Sequence, residues 1–119
     1  MLLYVGAGTD YRPVTRYAHV HKEFIYVDGL PHRPKPWGVE ACHIKDTLKR
    51  DLTQEDAFES LQDIDDDTFE IKLKGGGRII YFMNVLDSEI HSNPKVAPYF
   101  RQADTLYMNG FRYIETSQL

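Results

Sequence analysis

Four short runs along the chain are apolar without alternation. They are Leu2-Leu3-Tyr4-Val5, Phe24-Ile25-Tyr26-Val27, Ile79 to Val85 with Asn84 inside it, and Thr105-Leu106-Tyr107-Met108. A strand covered on both faces reads this way, as strands of parallel sheets do. Between the first two runs lie Gly6-Ala7-Gly8-Thr9-Asp10 and then Val14, Tyr17 and Ala18, which fall at i, i+3 and i+4. Thr9 or Asp10 suits a helix cap, and Pro13 is tolerated in a first helical turn. Residues 2–28 therefore predict strand, glycine turn, short helix and a second strand parallel to the first.

The next stretch, Leu30-Pro31-His32-Arg33-Pro34-Lys35-Pro36-Trp37-Gly38, predicts an extended loop, because its prolines suit neither helix nor central strand. Thr53-Gln54-Glu55-Asp56 resembles a helix-opening box, with Asp in place of Glu, and Phe58, Leu61 and Ile64 supply an apolar face behind it. Upstream, Val39, Cys42 and Leu48 predict a weaker helix that buries Cys42 as a small hydrophobe. Thr68 to Lys74 alternates: Phe69, Ile71 and Leu73 on one face, Glu70, Lys72 and Lys74 on the other. That is a half-solvated strand, predicted at an edge and blunted by its lysines. Gly75-Gly76-Gly77 joins it to the third apolar run as a hairpin turn. Ser92 or Asn93 followed by Pro94 predicts a short helix that Pro98 limits, and Arg112 to Leu119 is a further strand or a loose end.

With 119 residues, the chain suits one domain. A hydrophobic share of 42% beside 27% charged residues excludes a disordered class. The net charge of −4 argues against a nucleic-acid partner, which needs a basic field. One cysteine forms no internal disulfide and points to a reducing, cytoplasmic setting. No apolar run approaches a bilayer span, so no membrane partner is expected, and Met1 to Gly6 lacks the basic start of a signal peptide.

Candidate chemistry gathers after the first strand. Gly6 permits a tight turn, and Gly8 admits a ligand close to the backbone without a Cβ in the way. Asp28 ends the second strand 22 residues after Gly6, near the ~20 expected for an acid that binds ribose hydroxyls. Tyr11 stands where a dinucleotide fingerprint has its third glycine, which disfavours NAD and FAD. Strand, Gly-x-Gly turn, helix, strand and acid together resemble the opening of the Rossmann-like, S-adenosylmethionine-dependent methyltransferase family. That resemblance implies an α/β, Rossmann-like fold: a mainly parallel sheet of about five strands, helices on both faces and a hairpin edge strand. It further implies S-adenosylmethionine or a related adenosine ligand, held by Gly6, Gly8, Asp10, Asp28 and Asn84 at the carboxyl edge of the sheet. The family's acid ahead of the glycines is replaced here by Leu3, Tyr4 and Val5, and Asn84 is followed by Val85-Leu86-Asp87 instead of prolines. The resemblance thus carries over ligand binding more directly than methyl transfer.

Other chemistries have less support. His19, His21, His32 and His43 have no helical zinc spacing, and adjacent Cys42 and His43 point different ways on a helix. The three consecutive glycines precede a strand and so lack the helix start of a phosphate loop. The competing reading is a non-enzymatic interaction domain that contacts a protein partner, or a second copy of itself, through a sheet edge or the proline loop. The glycine turn discriminates: a ligand site needs it open, and a scaffold fills it with its own side chains. On the ligand reading, replacing Asp28 leaves folding nearly unchanged, and Gly8 is glycine to make room, not for its backbone angles.

Overall fold

Backbone pairing gives each apolar run two faces to bury. The structure, a computed structural model, describes residues 1–29 and 41–108. Its elements are β1 (Leu2–Val5), α1 (Arg12–Arg16), β2 (Glu23–Asp28), α2 (Ala41–Gln54), β3 (Phe58–Asp65), β4 (Thr68–Leu73), β5 (Arg78–Met83), a 3-10 turn (Asp87–Glu89), α3 (Ala97–Gln102) and β6 (Thr105–Met108). The strands form one sheet in the order β3-β4-β5-β2-β1-β6. β1 lies parallel between β2 and β6, with Leu2 beside Phe24 on one side and Thr105 on the other. β2 pairs parallel with β5 as well.

Alternate residues of the runs then feed two cores. Leu2, Tyr4, Phe24, Tyr26, Ile79 and Tyr81 face α1 and α2, meeting Val14, Ile44, Leu48 and Leu52. Leu3, Val5, Ile25, Val27, Ile80 and Phe82 face the opposite side, where Ile90, Val96 and the α3 residues Tyr99 and Phe100 cover them. Ile44, Leu48 and Leu52 repeat at i, i+4 and i+8, one stripe of α2, and all three are fully buried. β4 alternates because only its inner face, Phe69, Ile71 and Leu73, joins the first core.

The fold differs from the Rossmann-like, mainly parallel sheet expected from the sequence. The sheet is mixed and has six strands, because β3, β4 and β5 pair antiparallel. The described residues hold three α-helices, and only α2 exceeds six residues. The departure arises at Phe58–Asp65, predicted helical and found as the outer strand β3. Consequently β4 is not an edge strand, since β3 covers its free side. The Thr53 to Asp56 box closes a helix instead of opening one. Thr53 Oγ1 donates back to Lys49 O at 2.6 Å, and Asp56 takes φ 55°, the left-handed angle that ends helices. Cys42 is exposed, not buried. The predicted helix after Ser92 and Asn93 begins later, with Pro98 in its first turn. The proline loop, Val39, Asn109-Gly110 and the tail from Arg112 lie outside the described residues.

Candidate functional site at the carboxyl edge of the sheet

The glycine turn leaves β1 at the sheet's point of reversal, where the chain goes to β2 on one side and later to β6 on the other. Ligands of open α/β sheets bind at such points. The turn's polar groups, however, find acceptors and donors within the protein. Gly6 and Ala7 donate their N–H groups to Val27 O at 2.8 and 3.3 Å, and Gly8 N–H donates to Asp28 Oδ2 at 2.6 Å. Tyr81 OH donates to Gly8 O at 2.6 Å, and Tyr26 OH to Asp10 O at 2.8 Å. Asp10 also accepts from Tyr4 OH at 2.6 Å and from the Arg12 N–H and guanidinium at 2.8–3.0 Å. Both glycines have positive φ, 73° at Gly6 and 54° at Gly8, so backbone angle is reason enough for them.

Four of the five predicted site residues, Gly6, Gly8, Asp10 and Asp28, are therefore brought together, though in a network that serves the turn. Asp28 is 3% exposed and points into the loop. Burial pushes the Asp10 carboxyl up, but the hydrogen bonds from Arg12 and Tyr4 outweigh it and hold the group below the ordinary range. Burial raises Tyr4, Tyr26 and Tyr81, which stay neutral donors at physiological pH. Sequence reasoning missed these tyrosines as a set. Tyr81, Tyr26, Tyr4 and Tyr107 lie side by side in register across β5, β2, β1 and β6. Adjacent rings in the row stand 4.7–5.5 Å apart. The signal was present: each apolar run places a tyrosine third.

Asn84 ends β5 at the same sheet edge but serves a different cleft. Its φ is 67°, rare for a residue with a side chain. Its Nδ2 donates to Asp67 Oδ1 on the β3–β4 turn, away from the glycines. The cleft there measures about 210 Å³ and is lined by Asp67, Thr68, Asn84, Asn93 and Lys95 among others. Lys95 Nζ reaches Asp65 Oδ2 at 2.7 Å. Asn84 Oδ1 is buried there, and the buried Thr68 hydroxyl lies against the Asp65 carboxylate and helps hold it below its ordinary range.

Of the histidines, His21 is 7% exposed and shares a 3.0 Å hydrogen bond with Thr105 Oγ1, a link between the start of β2 and β6. His19 and His43 are exposed. Among the described residues no group of three or more His, Cys, Asp or Glu is arranged to hold a metal ion, and no helix is long and apolar enough to cross a membrane. Compared with known proteins, the chain matches no family model, no curated protein and no solved structure. The methyltransferase-like reading accordingly stands on its motif residues alone.

Proposed function

We propose that the chain is a non-catalytic interaction domain whose glycine turn is a structural joint, and that it contacts a protein partner. The observation that carries this reading is the inventory of the turn: the N–H groups of Gly6, Ala7 and Gly8 all have protein acceptors. An adenosine ligand seated over the turn needs those donors and the Asp28 carboxylate. To take it, the protein must first break a buried, charge-assisted hydrogen bond. The surface most suited to a partner is the β3–β4 hairpin. There Ile64 is 56% exposed among Asp63, Asp65, Asp66 and Asp67, which favours a partner with basic groups around an apolar contact and disfavours a second, equally acidic copy.

The test is a melting series with adenosine, S-adenosylmethionine, S-adenosylhomocysteine and NAD. No saturable rise in melting temperature is expected from any of them. A rise that saturates with one of them, and is lost in Asp28→Ala, returns the turn to the adenosine reading.

A further inference from the structure

β3 stands at one end of the sheet order, and at eight residues it is the longest strand described. Its outer row of backbone N–H and C=O groups has no partner strand among the described residues, which makes it a template for one more. Edges are ordinarily blunted with lysine, proline or bulges. β3 carries no Lys, Arg or Pro. Its register shifts between Phe58 and Ser60 and again between Asp63 and Asp65, so Ser60 to Asp63 is the regular stretch left open.

The pairs with β4 show what each side of that stretch presents. Leu61 and Asp63 stand beside Ile71 and Phe69, on the side of α2, where Lys45 Nζ meets Asp63 Oδ1 at 2.6 Å. Ser60 and Gln62 stand beside Lys72 and Glu70, on the opposite side. The charges of the strand are all negative: Glu59, Asp63 and Asp65, continued in the turn by Asp66 and Asp67. Glu59 and Asp66 are exposed and pair with no cation among the described residues. A second copy of β3 laid on this edge adds the same carboxylates to the ladder and no cation, which is unfavourable. A strand that brings cations is favoured. Its main-chain hydrogen bonds supply affinity, and its alternate side chains supply specificity.

We infer, resting on the interaction-domain reading, that β3 captures an extended, basic segment of a partner protein by antiparallel strand addition. Opposite Asp63 the segment places Arg or Lys, and opposite Leu61 a β-branched apolar residue. Opposite Gln62 and Ser60 it places small polar residues, since Lys72 behind Ser60 disfavours a cation there.

The experiment titrates the full chain with the peptide acetyl-Lys-Arg-Thr-Val-Thr-Lys-amide, followed by amide NMR shifts and hydrogen exchange. Saturable shifts and slowed exchange are expected at Ser60, Leu61, Gln62 and Asp63, with a midpoint below about 1 mM. The same peptide N-methylated at every central residue keeps the charge, loses the ladder, and is expected not to bind; so is a version with Glu in place of Lys and Arg. Gln62→Lys, at an exposed position, is expected to melt as wild type does and to bind about tenfold more weakly, whereas Gln62→Glu binds at least as well as wild type. Strand addition is overturned by an absence of saturable shifts, by shifts centred on another surface, by equal binding of the N-methylated peptide, or by unchanged binding in Gln62→Lys. Shifts along β3 that change on dilution without peptide make a second copy the occupant and overturn it as well. Each of these leaves the interaction-domain reading standing. That reading falls separately, to a saturating response in the adenosine melting series.

Discussion

Asp28 Oδ2 accepts the N–H of Gly8, 20 residues earlier in the chain, at 2.6 Å in a buried position. The end of β2 thereby fixes the turn that leaves β1. A strand-end carboxylate is expected from sequence to matter little for folding, and this contact reverses that expectation. Asp28→Ala leaves the Gly8 N–H buried without an acceptor, and the predicted loss of stability is about 1.5–3 kcal/mol. Chemical denaturation of the two proteins measures it; a loss under half of that removes the contact from the fold's supports.

Gly8 is glycine for its backbone angle. At φ 54°, an alanine Cβ crowds the following carbonyl, and Gly8→Ala is predicted to cost about 1–2 kcal/mol with or without any nucleotide present. Gly8→Asn should cost less, because Asn tolerates the left-handed region. Equal losses in the two variants point to steric crowding around the site in place of backbone angle.

His21 predicts a pH dependence. Its burial, and then the nearby N-terminal amine, lower its affinity for a proton, against the opposing pull of Asp104. The unfolded chain binds the proton first as pH falls, so folding loses stability below the ordinary histidine value of about 6.5. Melting temperatures from pH 7 to pH 5 should fall, and His21→Asn should flatten that slope. An unchanged slope in the variant assigns the effect to other groups.

Asp10 works in the other direction of the same scale. Its carboxylate is held ionised by Arg12 and Tyr4, so its contribution is present above the ordinary carboxyl value of about 4 and is lost as pH falls through the lower folded value. Asp10→Asn should be less stable than wild type at pH 7, and the gap should narrow toward pH 3. A gap constant with pH makes the loss one of shape, not of charge.

Leu48 tests the packing of α2. It is fully buried in the middle of the helix stripe, and Leu48→Ala is predicted to destabilise by about 2–5 kcal/mol, the range for a cavity left at a closed site.

What the sequence revealed followed what burial demanded of each residue. β1, β2 and β5 were legible because both of their faces are covered, and their charged residues, Glu23, Asp28 and Arg78, stand only at strand ends. β3 was not. It buries little, its residues from Gln62 to Asp65 are exposed, and Phe58, Leu61 and Ile64 fall three apart, which mimics a helix stripe. Nothing in the local pattern reports that β4 has a free edge waiting for it. At the turn, the spacing placed Asp28 correctly beside Gly8. It carried no information on whether the carboxylate faces outward to a ribose or inward to an N–H. Asn84 was legible as a strand end, but its cleft is built by residues of the β3–β4 hairpin, whose position depends on the strand the sequence concealed.

The sheet order also sets a sequence of folding events. β3, β4 and β5 meet through short turns, so their pairing closes small loops, and their register is set locally. β1 pairs early with β2, Leu2 beside Phe24, but its other side waits for β6, since Leu2 pairs there with Thr105 across nearly the whole described chain. Closing that loop costs the most entropy and is rewarded last. Substitutions on β6, such as Leu106→Ala, are therefore expected to speed unfolding while leaving the folding rate nearly unchanged, and substitutions on β4 such as Ile71→Val to slow folding. The strand that completes the tyrosine row is the one whose detachment opens the protein.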